Sequence, residues 1–357
     1  MIFFGNLIYS VTISYLFGKR YKEAQLSDSA FFLLFLHFGI IWLIITGGQY
    51  YVGTDYPTYM SLFDGYGLEL YQRKGELFFY YIISLCNNIG IHGQHLYFIF
   101  YTINISLLFL ILKRFNSSYL FIFILLYIGY TNIFNNQLNM LRQSIAIHCG
   151  TYACILYCES KIRTSLMWIC AAFFFHVSSI ILLLIYTYPL IKRLSVKWLE
   201  IVLIISFIGS FFLSLRTFAF LTDYLPSAYA MHLEKEEAGS SIITSLTKYI
   251  FIPLFYLGLN LLKKEMLTDF EKKLFYIGYL GFCFKLFLLK LPVVNRLADY
   301  FIIISAFPIF FYLIDLKKNH KTILLGSICM AITAFYGLKT ILFPKAEYIY
   351  NSIYFII

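Results

Sequence analysis

The sequence contains little charge for its length. Of its 357 residues, 13% are charged and 61% are hydrophobic, whereas soluble domains carry roughly a quarter charged and about half apolar residues. Apolar runs long enough to cross a bilayer recur along the chain, without the alternation of polar and apolar faces that a soluble core needs. The short alternating segments of a β-barrel are also missing. The composition therefore predicts an all-α polytopic membrane protein.

Common signatures of nucleotide, hydrolase and metal chemistry are absent too. The sequence has no Walker loop, no H-E-x-x-H, no G-x-S-x-G, and no D-x-D pair to hold a metal-bound nucleotide sugar. His92 and His95 in "IHGQH" are two histidines without a nearby carboxylate, which is weak evidence for a metal site. We therefore expect no cofactor, and a divalent ion stays open as an alternative.

Nothing divides the chain into separate domains. All seven cysteines fall in apolar stretches, so no disulfide framework is predicted. We find no internal repeat, no low-complexity segment and no soluble domain. The sequence therefore predicts a single transmembrane domain over 1–357.

The net charge of +10 comes from small basic clusters between apolar runs, not from one basic face. Nucleic acid is therefore excluded as a partner, and the clusters are interpreted as cytoplasmic loops. This map predicts about 10–12 transmembrane helices and two sizeable outer loops, at about 47–94 and 216–240. The second loop, with "HLEKEEAGSS", is either a lid over the site or a solvated loop. The clusters begin at Lys19, Lys113, Lys161, Lys192, Lys263 and Lys317.

Two stretches do not fit regular spans. The stretch 164–190 is either one span or a hairpin of two short helices broken near Phe175–His176. The hairpin keeps Lys192 and Arg193 in the cytoplasm, so we favour it. The stretch 75–90, "GELFFYYIISLCNNIG", is cut short by polar residues and predicts a helix at the outer surface.

Asp55 is the first candidate for a functional residue. It lies in "YYVGTDYPTYMSLF", just outside the second predicted span, after a glycine that permits a tight turn. A carboxylate near a low-dielectric wall can serve as a general base. The alternative is a solvated aspartate that caps the helix starting near Pro57.

A second candidate region is "NNQLNMLRQSIA", which opens a returning helix. Asn139 belongs to a polar cuff, and Arg142 and Gln143 lie about one turn into the helix. An arginine at the outer boundary suits a phosphate or diphosphate, because its fork gives bidentate hydrogen bonds. The alternative is an arginine that snorkels to the interface.

His176 and Arg296 are further polar residues at membrane depth, where polarity is costly. His176 lies in "FFFHVSS" at the predicted hairpin tip, and the alternative is a satisfied core histidine. Arg296 lies in "LPVVNRLADYF" at the outer end of a span, three residues before Asp299. The alternative to a substrate contact is that the two charges pair on one helix face.

Taken in order, these stretches resemble the EpsG-like branch of the Wzy-type O-antigen polysaccharide polymerases. The resemblance rests on "VGTDYPTYMSLF", "GELFFYYIISLCNNIG", "NNQLNMLRQSIA", "FFFHVSS" and "NRLADYF", and it spans most of the chain. It implies a GT-C-like architecture, with a surface helix and a short hairpin. It also implies a glycosyltransferase that passes a growing glycan from undecaprenyl diphosphate to another lipid-linked repeat unit.

The resemblance gives each candidate residue an expected role. Asp55 would deprotonate or orient the acceptor hydroxyl. The expected substrate contacts are Arg142 and Arg296 at the diphosphate, with Arg73 as a third contact; Gln143, His176 and Asn139 lining the site; and Tyr56 and Tyr59 stacking on sugars.

The same resemblance implies location and partners. The site would face the periplasm, from the bacterial inner membrane, and membrane lipid, a flippase and a chain-length regulator would be partners. The alternatives are a lipid-linked oligosaccharide flippase without chemistry, an O-antigen ligase, and a glycosyltransferase or acyltransferase that decorates the chain. The polar groups gather near the outer boundary and no repeat is seen, which favours the enzyme over a flippase.

Overall fold

The fold is helical. A computed structural model describes residues 1–21, 27–212, 248–342, 344 and 348–355. Within these ranges no strand forms beyond an isolated bridge between Gln49 and Ser352. The predicted all-α class is confirmed. The predicted outer loop 216–240 lies outside the described residues.

The helices of the described residues are numbered here in chain order. The first half of the chain contains α1 (Ile2–Arg20), α2 (Asp28–Leu34), α3 (Ile40–Gly47), α4 (Tyr56–Phe63), α5 (Glu69–Arg73), α6 (Leu77–Asn88), α7 (Gln94–Leu112), α8 (Leu120–Leu125), α9 (Ile133–Asn136) and α10 (Leu141–Cys158). The rest contains α11 (Ile162–Phe175), α12 (Tyr188–Ile191), α13 (Val196–Phe212), α14 (Ile252–Lys263), α15 (Asp269–Phe287), α16 (Pro292–Ala298), α17 (Phe307–Lys318) and α18 (Thr322–Gly337).

Several helices have the length and composition of membrane spans. In the described part of the chain they are Asp28–Gly47, Gln94–Leu112 and Thr322–Leu342, and the bent pair Val294–Phe301 with Ile304–Lys318 is a fourth if counted as one span. The protein is therefore a polytopic membrane protein, while the number of about 10–12 spans stays a prediction.

The contacts among residues divide the chain into two compact units. Unit 1 comprises Met1–Leu156, Lys161–Ile180 and Leu313–Ile357. Unit 2 comprises Tyr157–Ser160 and Ile181–Tyr312. The prediction of a single transmembrane domain is not tested by this division.

Aromatic packing forms the centre of unit 1. Trp42 is fully buried, stacks on Tyr127 with ring centroids 5.6 Å apart, and meets the edge of Phe134. Its indole Nε1 donates to Ser10 Oγ at 2.8 Å, which satisfies the one polar atom that burial would otherwise strand. These contacts join α1 to the span Asp28–Gly47 and to the segment that follows α8.

Unit 1 has two distinct ends. At one end Ser117 Oγ donates to the carbonyl of Tyr21, and Lys113 pairs with Asp28 at the start of the second span. At the other end Gln94 Nε2 donates to the carbonyl of Gly47. The loop after Gly47 and the end of α1 at Tyr21 are therefore a full span apart.

The irregular stretches are partly as expected. The helix over 162–175 does end at Phe175, and His176 has extended backbone before a 3₁₀ segment, Val177–Thr187, so the predicted break is confirmed. The stretch 75–90 does contain a short helix, α6.

The chain from Pro292 to Lys318 is not one continuous helix. The chain breaks after α16, passes through two short 3₁₀ turns and restarts as α17, with a bend of 61°. Pro308 explains the restart, because proline lacks the N–H that an uninterrupted helix would need and fits the first turn of a new one.

The close approach of α15 to the bend gives a stability test. A Cβ on Gly278 would collide with the carbonyl of Ile304 and lie 2.9 Å from Pro308 Cδ. We expect Gly278→Ala to lower the free energy of unfolding by about 1–3 kcal/mol, seen as earlier thermal unfolding in detergent. Gly326→Ala is the control, because nothing lies within 4 Å of that position. Equal unfolding temperatures for the two variants would contradict the packing described.

Candidate functional site

Asp55 lies at the start of α4 and is anchored through its main chain. Its N–H donates to Asn139 Oδ1 at 2.8 Å, and the hydroxyl of Thr54 is 3.4 Å from the same oxygen. The Asp55 side chain is exposed and makes no capping hydrogen bond to the helix that follows. The capping alternative is therefore wrong, and the carboxylate is held in place while staying accessible.

Gly53 makes this anchor geometrically feasible. Its φ is +76°, a conformation that residues with a Cβ rarely adopt, and an added Cβ would lie 2.6 Å from Asn139 Oδ1. Glycine thus lets the loop reach the side chain of Asn139, 84 residues after Asp55 in the sequence.

Tyr56 is part of the protein interior. Its ring stacks on Tyr97 at 5.3 Å, and its hydroxyl donates to Gln94 Oε1 at 2.7 Å. Burial raises the pKa of Tyr56 to about 12, so the phenol stays neutral. The expected stacking of Tyr56 on a sugar is therefore wrong for this conformation, since the protein already covers the ring.

Tyr59 is buried as well and contacts Arg142. The guanidinium carbon of Arg142 lies 5.9 Å from the ring centroid of Tyr59. Burial raises the pKa of Tyr59, the charge of Arg142 opposes that shift, and the negative charge of Asp55 adds to it. The charges of Asp55 and Arg142 thus act on the same phenol with opposite sign. Tyr59 is 4% exposed and has no open face for a sugar, so its expected stacking is also wrong.

Arg142 lies among aromatic rings with one carboxylate. Its guanidinium carbon is 4.4 Å from the ring centroid of Tyr71 and 5.3 Å from that of Phe79. Nη1 donates to Glu76 Oε2, and the two side chains are 18% and 6% exposed. Arg142 therefore already has a carboxylate partner within the protein. Its Nε is buried and has no hydrogen-bond partner among the described residues, which leaves a donor for a ligand.

Sequence reasoning missed Glu76. It is the single acid of "GELFFYYIISLCNNIG" and precedes an apolar run, where a carboxylate needs a partner. That signal was present, but it does not indicate which of the distant cations is the partner.

The structure assigns the other candidates of unit 1 to separate positions. Gln143 is buried on α10 next to Arg142, and Arg73 is exposed in the last turn of α5. His176 directly follows α11, whose last ring, Phe175, packs against Phe78 of α6 with centroids 5.6 Å apart. His176 therefore follows the helix that packs against α6, and the ring contacted on α6, Phe78, lies two residues after Glu76.

Arg296 belongs to unit 2, and the alternative to a substrate contact was a pair with Asp299. Asp299 accepts from Lys285 Nζ at 2.5 Å, and Lys285 is 3.4 Å from the carbonyl of Asn295. Lys285 is largely buried on α15 and was also missed by sequence reasoning. Its signal was a lysine inside the apolar run "GFCFKLFLL".

The described residues contain no group of three or more histidine, cysteine, aspartate or glutamate side chains that could hold a metal ion. The expectation that the protein uses neither metal nor cofactor stays an expectation.

A comparison with models of protein families identifies the family of this chain. The model of the EpsG family matches residues 3–354. The chain belongs to the EpsG family. Members of the EpsG family are membrane proteins of a polysaccharide-polymerase-like, glycosyltransferase-like type. No curated protein and no solved structure matches the chain.

The buried ion pair of Arg142 and Glu76 predicts that its loss will strongly destabilise this EpsG-family protein. We expect Glu76→Gln to lower the free energy of unfolding by about 3–5 kcal/mol, because it leaves the charge of Arg142 buried without its counter-charge. Thermal unfolding in detergent measures the change.

Asp28→Asn is the matched control, because it removes the acid of the exposed pair with Lys113. Solvent screens that pair, so its loss is expected to change little. A loss of stability as large in Asp28→Asn as in Glu76→Gln would contradict the importance assigned to burial.

Proposed function

We propose that this protein is a polysaccharide polymerase. It transfers a growing glycan from undecaprenyl diphosphate to the terminal sugar of another lipid-linked repeat unit. The glycan is O-antigen or capsule, and the reaction takes place at the outer face of the bacterial inner membrane. Membership of the EpsG family supports the reaction class.

One observation carries the proposal for the site: an exposed, anchored carboxylate beside a buried guanidinium. Asn139 holds the main chain of Asp55 and lies in the turn before α10, three residues before Arg142. Tyr59 is a second connection between the two residues, because its ring contacts Arg142 and its N–H donates to the carbonyl of Asp55 at 2.9 Å. A base and an anion-binding donor are thus supported by the same loop.

The chemistry follows from the two charges. Asp55 accepts the proton of the acceptor hydroxyl or orients that hydroxyl, whose oxygen forms the new bond to the anomeric carbon of the donor glycan. The bond from that carbon to the diphosphate oxygen breaks. The leaving diphosphate gains negative charge, which Arg142 stabilises through donors other than the one bound to Glu76.

Tyr56 and Tyr59 take positioning roles in this scheme. The stacked Tyr56 and Tyr97 and the hydrogen bond to Gln94 fix the start of α4. Tyr51 of the same loop is 58% exposed and is the better candidate to stack on a sugar.

The remaining candidates keep the roles that the sequence predicts for them. We assign Gln143 and His176 to the lining of the site, and Arg73 and Arg296 to anionic parts of the lipid-linked substrate. A flippase that supplies the repeat unit and a chain-length regulator are the expected protein partners.

Replacing the carboxylate tests the assignment of Asp55. We expect Asp55→Asn to reduce polymerisation by about 100-fold or more, because general acid–base catalysis contributes roughly that much. The measurement is the surface polysaccharide of a strain that lacks the protein and expresses the variant. Loss of polymerase leaves one repeat unit on the acceptor, whereas loss of a flippase leaves none.

Asp64→Asn is the control for Asp55→Asn. Asp64 is an exposed acid that follows the last residue of the same helix α4. A full-length ladder with Asp55→Asn would refute the site assignment, and absence of any repeat unit would favour the flippase.

The loop geometry predicts a second effect on activity. Gly53→Ala should shorten the polysaccharide chains strongly, because its Cβ would displace Asn139 and with it Asp55. Gly67→Ala is the matched control: Gly67 has a similar φ of +73°, but nothing lies within 4 Å of its Cβ position. If both variants behave alike, backbone strain alone explains the loss and the anchor is not needed.

A further inference from the structure

The end of unit 1 that lies away from Asp55 carries a basic cavity. The cavity of about 520 Å³ is lined by residues from α1, the turn before α8, the end of α17 and the connection that follows it. Among the described residues, three ammonium groups and one imidazole line it, and no carboxylate does. The charged lining residues are Lys19, Lys317, Lys318 and His320.

One of these lysines is fixed in place by the protein. Lys317 Nζ donates to the carbonyl of Ser118 at 2.6 Å and lies 5.0 Å from the ring centroid of Phe121. An ammonium has three donors, so two remain beyond this hydrogen bond. Lys19 and Lys318 are exposed, and Asp315, the nearest acid in sequence on α17, accepts from Asn319 instead of lining the cavity.

An apolar groove continues from this cavity along the helices. The groove of about 250 Å³ has Tyr15 in common with the basic cavity and runs between α1, α8 and α18, past Phe121 and Leu125 to Thr333. Thr333 lies 11 residues into α18 and Thr12 eight residues before Arg20. The groove therefore extends into the depth of the membrane, while the basic cavity lies at its edge.

We propose that this cavity and groove bind one anionic phospholipid of the phosphatidylglycerol type. The phosphate contacts Lys19, Lys317 and Lys318, and an acyl chain lies in the groove over Tyr15 and Phe121. Charge complementarity selects the anionic headgroup, because basic pockets between membrane helices attract anionic lipids. The site lies a full span from Asp55, so the inference is independent of the proposed function.

The test measures lipid binding to the purified full-length protein. Delipidated protein in detergent is titrated with dioleoyl phosphatidylglycerol or dioleoyl phosphatidylcholine, and bound lipid is counted by native mass spectrometry. We expect the anionic lipid to bind about tenfold more tightly. Lys19→Gln combined with Lys318→Gln should remove about that factor, since each lysine near the headgroup contributes several-fold.

Two further variants test the position of the charge and the role of the groove separately. Lys192→Gln combined with Lys264→Gln removes the same charge from exposed lysines of unit 2 and should leave affinity within about twofold. Thr12→Trp fills the groove and should weaken phosphatidylglycerol binding although the lysines are intact. Thermal unfolding of each variant without lipid verifies that it is folded.

Four results would overturn the proposal. They are equal affinity for the two phospholipids, an equal loss in the two double-lysine variants, displacement of phosphatidylglycerol by equimolar inorganic phosphate, and tighter binding of undecaprenyl phosphate than of phosphatidylglycerol. The last result would assign the groove to a polyprenyl carrier instead.

Discussion

The candidate site depends on one buried ion pair, that of Arg142 and Glu76. Two charges taken out of water are tolerated only when each compensates the other and nearby groups fill the remaining space. Here Tyr59, Tyr71 and Phe79 surround the guanidinium. Because the three rings come from α4, α5 and α6, the pair also holds these short helices against α10.

This arrangement connects structure to the proposed reaction. A polymerase that joins lipid-linked units needs a cation that stays charged in a region of low dielectric constant, and arginine meets that requirement. It also needs a carboxylate that water and a sugar can reach. The exposed Asp55, on its anchored loop, and the largely buried Arg142, on α10, supply the two environments. The lipid site proposed at the other end would secure the helices that support this loop.

Local features of the chain were predictable from the sequence. Low charge and long apolar runs predicted the helical class, and the break at His176 followed from the placing of basic residues. Asp55, Asn139 and Arg142 were recognisable because polar groups next to apolar spans are costly. What could not be predicted is which distant residues meet. Glu76 and Arg142 are 66 positions apart, and neither side chain indicates its partner. Tyrosine is equally suited to a sugar face and to a protein interior, so the burial of Tyr56 could be learned only from the folded structure.

The most direct measurement of the central claim is a reconstituted reaction. Purified protein in liposomes would be given a lipid-linked repeat unit, and released undecaprenyl diphosphate and joined glycan would be quantified together. The account predicts one undecaprenyl diphosphate released for each new glycosidic bond, without an added nucleotide. Movement of the lipid-linked unit across the bilayer with no release and no bond formed would contradict it.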